Sequence, residues 1–84
     1  MQRFTSKSSD GQYSVDGENL EAAIQRLGRL EDAYTDLLIS QKQIPTDLEK
    51  LRQQGKQKTV QYKELLIRKL NNQNILMFLI ECGL

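Results

Sequence analysis

The residue pattern points to a small, mainly α-helical bundle, one long helix and three shorter ones, behind a short N-terminal β-hairpin. Three observations carry that expectation. Apolar residues recur at spacings of three and four from Leu20 to Leu38, the repeat of one helix face. Two short runs with β-branched and aromatic residues flank Ser8-Ser9-Asp10-Gly11, and Asp-Gly is a turn dipeptide that tolerates positive φ. Residues 75–80 are apolar without interruption, which calls for enclosure by other helices or by a partner.

In chain order, residues 1–17 hold the hairpin, with strands at 3–6 and 12–15. Phe4, Tyr13 and Val15 need support from the helices, because an isolated hairpin is barely stable in water. The long helix is expected over 18–43, with Leu20, Ile24, Leu27, Leu30, Tyr34, Leu37, Leu38 and Gln41 on one face. Acids crowd its first turn, where the helix dipole favours them. Gly28 costs about 1 kcal/mol against Ala there and reads as a close-packing site. Ile44-Pro45 breaks the pattern, since a residue before proline is pushed out of the helical region. Thr46 and Glu49 have the spacing of a capping box, so a second helix is expected over 46–54, ended by Gly55. Thr59 caps a third helix over 59–70, which Asn71-Asn72 interrupts. A last apolar helix over 73–82 ends at Gly83.

Eighty-four residues with one proline and one cysteine make one small domain, and chains of this size are marginal as monomers. Cys82 alone forms no internal disulfide and suits a reducing compartment; beside an apolar run it reads as buried and inert. No histidine is present, which removes the commonest general base and zinc ligand. The glycines are too scattered for a phosphate loop. These absences lead us to expect no enzymatic activity, no cofactor and no metal site. The apolar run is too short for a membrane span, which needs roughly 18 or more apolar residues. The polar start of the chain does not read as a signal peptide, and a cytoplasmic location is expected.

Charge is distributed unevenly along a nearly neutral chain. Residues 10–36 carry seven acids against two bases, and residues 50–69 carry seven bases against one acid. The halves either attract each other or present faces to partners. On the acidic side, Glu31, Asp32 and Asp36 form the one cluster, with Asp32 and Asp36 a turn apart. On the basic side, Lys56, Lys58, Lys63, Arg68 and Lys69 with Tyr62 have the ingredients for phosphate contacts and base stacking. A solvated or protein-facing role is the favoured reading of that segment. The C-terminal run is expected to self-associate as a homodimer, with Met77, Phe78 and Ile80 at the seam.

Three stretches taken together carry a resemblance. They are Arg3-Phe4-Thr5 with Asp10-Gly11-Gln12-Tyr13; Ala23-Ile24-Gln25-Arg26-Leu27-Gly28-Arg29-Leu30-Glu31-Asp32; and Gly55 through Leu66 with the ending from Asn74 to Leu84. In this arrangement the chain resembles small accessory proteins of phages, prophages and other mobile elements of Firmicutes. The resemblance implies a protein acting inside a bacterial host cell. It further implies a host protein as target, such as a CRISPR nuclease or another defence factor that the protein inhibits. A nucleic-acid-associated protein using residues 50–69, or a structural assembly component, are the alternatives.

Overall fold

A computed structural model describes residues 1–84. It contains a two-stranded hairpin, a 3-10 turn over Gly17–Asn19, and two helices, α1 (Leu20–Gln53) and α2 (Val60–Glu81). The chain divides into two compact units, Met1–Ala33 and Tyr34–Leu84, and α1 runs from the first into the second.

In the first unit, β1 (Thr5–Lys7) pairs antiparallel with β2 (Tyr13–Val15), Thr5 opposite Val15 and Lys7 opposite Tyr13. The turn forms where its chemistry demands. Gly11 adopts φ +86°, the amide of Gly11 donates to the Ser8 carbonyl at 3.0 Å, and the Gln12 amide donates to the Asp10 carboxylate at 3.2 Å. The Ser8 hydroxyl donates to the same carboxylate. The arm before β1 is held to α1 by Arg26, whose guanidinium donates to the Gln2 carbonyl and lies 4.0 Å from the Phe4 ring centroid. Phe4 thus gains the helix support it needs, through a cation–π contact, while Tyr13 stays exposed.

The second unit is an antiparallel helical hairpin. Its core is Ile44, Leu48, Leu51 and Tyr62, with Leu65 packed against them; Ile44 and Leu48 are 2% and 3% exposed. Along α1, the positions Tyr34, Leu37, Gln41, Ile44, Leu48 and Leu51 step by three and four residues alternately. Along α2, Tyr62, Leu65, Lys69, Asn72, Leu76 and Leu79 do the same, which is the seam of two coiled helices. One polar layer crosses it: the Asn72 amide donates to the Ser40 hydroxyl at 3.1 Å. The Gln41 side-chain amide donates to the Lys69 carbonyl at 3.3 Å.

The connecting turn is built from local signals. Gly55 takes φ +70°, the Lys56 amide reaches the Leu51 carbonyl at 2.8 Å and the Gly55 amide the Arg52 carbonyl at 2.9 Å, a Schellman end. The Thr59 hydroxyl then accepts from the Tyr62 amide as the N-cap of α2. Leu84 and Gly83 close α2 with the same paired bonds, to Leu79 and Ile80.

Two helices stand where four were expected, and the reason lies in the seam. Proline in a helix interior costs about 3 kcal/mol, yet α1 continues through Pro45. Pro45 is on the exposed side, and an unbroken helix keeps Ile44, Leu48 and Leu51 in one row. Burying each of these stabilises the fold by roughly 1.5–3 kcal/mol, which together outweighs the proline. Thr46 and Glu49 therefore lie inside a helix instead of capping one. Asn71-Asn72 does not interrupt α2 either: a mid-helix Asn costs about 0.7 kcal/mol or less, and Asn72 is buried against Ser40.

Three further expectations need correcting. Gly28 is not a close-packing site, because a Cβ built there meets nothing within 4 Å. Cys82 is exposed, not buried. Residues 75–80 are not enclosed by the other helices, one of the two readings of that run; Leu76 and Leu79 face α1 half-buried, while Ile75, Met77, Phe78 and Ile80 are exposed. The core lies instead toward the turn, around Leu48 and Tyr62. Neither helix is long and apolar enough to cross a membrane.

Candidate functional site

The surfaces that invite chemistry here are helix faces. In the first unit, Leu20, Ala23, Leu27 and Leu30 step by three and four, the same spacing as the seam residues of the second unit. Leu27 is 53% exposed, and Leu20, Ile24 and Leu30 are comparably open. Side by side on successive turns they form one apolar strip on α1. The arm borders it: Met1, Phe4, Ala23 and Leu27 line a shallow, mostly apolar groove. Glu21 lies beside the strip near its start and Glu31 at its far end, both exposed, while Arg26 runs along its other flank and Glu18 and Asp32 sit toward the opposite face. Asp32 and Asp36 do lie one turn apart on α1. No group of three metal-ligating side chains occurs anywhere in the chain.

At the turn end of the second unit, a polar groove is lined by Lys50, Lys56 and Arg68 together with Asp47, Gln61 and Glu64. The bases there are interleaved with carboxylates, so the groove is less positive than the linear sequence suggests. Lys58, Lys63 and Lys69 are exposed outside it. Tyr62, which the alternative nucleic-acid reading would use to stack a base, belongs to the core and is 7% exposed. Its hydroxyl accepts from Arg52 Nε at 2.8 Å, and that contact holds the Arg52 guanidinium above its ordinary range. Arg52 also pairs with Glu49 at 3.4 Å. Buried and hydrogen-bonded, the tyrosine ring has no free face to offer a nucleotide. Arg52 was not among the expected site residues; its position one helical turn after Leu48 beside a seam tyrosine was the available signal.

The outer side of α2 carries a second apolar row. Leu66, Leu70, Gln73, Met77 and Ile80 step by four and three alternately, beside the row that faces α1. All are exposed, Leu70 at 59% and Ile80 at 62%. Met77 and Ile80, expected at a self-association seam, both fall on this row. Phe78 lies outside it, on the side turned away from α1.

The amount of open surface is large for the mass. The folded chain leaves 6968 Å² accessible, whereas a folded monomer of 9.7 kDa exposes about 5,100 Å² by the usual scaling. No protein-family model matches the chain, and no curated protein or solved structure matches it.

Proposed function

We propose that this chain is a non-enzymatic binding protein. In this reading, the strip Leu20, Ile24, Leu27 and Leu30 docks an amphipathic helix or groove of a partner protein. The observation that carries it is the open repeat of the first unit: Leu20, Ala23, Leu27 and Leu30 keep the spacing that α2 covers in the second unit, and their leucines are open to water. Contiguous exposed apolar surface of this kind marks interaction sites. Glu21 and Glu31 beside the strip favour a partner with basic residues next to its apolar contact, and complementary charge speeds encounter and sets orientation.

The resemblance to mobile-element accessory proteins makes a bacterial defence nuclease the first target to test. Such enzymes carry basic grooves for nucleic acid, which Glu21 and Glu31 beside the strip suit. The nucleic-acid reading of residues 50–69 is weaker, because Tyr62 is committed to the core and Asp47 and Glu64 dilute the basic groove. Immobilised protein, exposed to host lysate and to purified defence nucleases, is expected to retain a partner that Leu27→Asp releases. A partner held equally well by wild type and by Leu27→Asp removes the strip from the binding site and with it this reading.

A further inference from the structure

We infer that the outer row of α2 pairs with the same row of a second copy, antiparallel, to form a two-fold dimer. This surface is distinct from the α1 strip, so the inference stands or falls independently of the partner-binding reading.

Four observations point to a second copy as the occupant. The first is the repeat itself. Leu66, Leu70, Gln73, Met77 and Ile80 alternate steps of four and three, the spacing that a second helix, not a loop or a small molecule, fills with knobs in holes. α2 already meets α1 through one such row, and its neighbour row has no cover.

The second is self-complementarity. Antiparallel seams place opposite classes of position in each layer, and one register sets Leu70 against Ile80 and Gln73 against Met77, each layer occurring twice about the axis. Leu66 then faces the end of the other helix, where Leu84 stands. The neighbouring register, shifted by one heptad, would set Lys63 against Ile80 and leave Leu84 unused. An isologous patch of this kind closes on itself. Gln73, the one polar member, packs beside Met77 of the other copy, two residues from the axis.

The third is charge. Lys63 and Lys69 flank the row in the first half of α2 and Glu81 flanks it in the last turn, whereas Arg68 and Glu64 line the groove on the other side of the helix. A parallel pair would set the cations beside their copies. The antiparallel pair sets them toward Glu81 and the negative end of the other helix dipole.

The fourth is area. The chain exposes about 1,800 Å² more than its mass calls for, and a standard interface takes about 800 Å² from each partner. A two-fold contact along α2 would cover part of that excess and leave the α1 strip free.

The test is mass in solution, measured by light scattering and sedimentation across a wide concentration range, with helicity followed by circular dichroism. Wild type is expected at the mass of two chains. Leu70→Lys is expected to weaken the dimer by about a hundredfold or more, since each substitution enters the interface twice, with helicity per chain retained. Adding Ile80→Glu to Leu70→Lys restores the dimer, because the register sets the introduced lysine against the introduced glutamate of the other copy. Leu27→Asp leaves the dimer unchanged. A wild-type mass other than two chains, or a dimer indifferent to Leu70→Lys, overturns the inference. Failure of the double variant to recover overturns the antiparallel register.

Discussion

Replacing Pro45 by alanine should make the protein more stable, and the size of the effect follows from where the proline sits. Residue 45 is well inside α1, which runs from Leu20 to Gln53. Its ring removes the amide that would donate to the Gln41 carbonyl and crowds that carbonyl. Against alanine, the penalty is about 3 kcal/mol in a helix interior. Proline also stiffens the unfolded chain, which offsets roughly 0.4–1 kcal/mol. The side chain is exposed, so no core contact is lost. The net gain is about 2 kcal/mol, and at about 4–8 °C per kcal/mol for a domain of this size the midpoint should rise by about 8–16 °C. Thermal unfolding of Pro45→Ala and wild type, followed by circular dichroism at one fixed protein concentration, measures it; the fixed concentration matters because self-association shifts apparent stability. Hydrogen exchange adds a second readout, since the new amide at that position should be protected through the Gln41 carbonyl. A midpoint that stays or falls, with a rapidly exchanging amide, would show that α1 breaks at Ile44-Pro45 and refute the continuous seam.

Two smaller effects follow from the local geometry. Gly28→Ala should stabilise α1 by about 1 kcal/mol, the usual helix-interior difference, because the added Cβ meets open space; a loss in urea unfolding would reveal a close neighbour there. Asp10 titrates below its ordinary value of 3.8, chiefly because the Ser8 hydroxyl donates to its carboxylate and then because the Gln12 amide does. A lowered carboxyl value means stability that is present above 3.8 and lost as pH falls through the lowered value. The hairpin should therefore loosen only in that acid window, and in an NMR titration Ser8→Ala should move the Asp10 midpoint upward; an unmoved midpoint refutes the assignment of the shift to Ser8.

The ends and turns of this fold were legible residue by residue. Asp10-Gly11, Gly55, Thr59 and Gly83 each act within four or five positions of themselves: a glycine at positive φ or a hydroxyl at an N-cap needs no distant partner to do its work. The apolar repeat of α1 was legible for the same reason, since helical spacing is a property of one segment.

Helix continuity was not legible, because it is a balance between local and distant terms. Pro45 and Asn71-Asn72 are breakers by propensity, worth at most about 3 kcal/mol. Against them stand contacts between residues far apart in the chain: Leu48 and Leu51 beside Tyr62, and Ser40 bonded to Asn72. The same holds for inside and outside. α2 is apolar on nearly every face, so its periodicity does not say which row is buried. Pairing with α1 selects Tyr62, Leu65, Asn72, Leu76 and Leu79, and thereby turns Leu66, Leu70, Met77 and Ile80 out to water. Tyr62 and Cys82 changed roles for that reason alone, one drawn into the core and the other left exposed. A residue's spacing assigns it to a row; burial requires a second helix to arrive opposite that row.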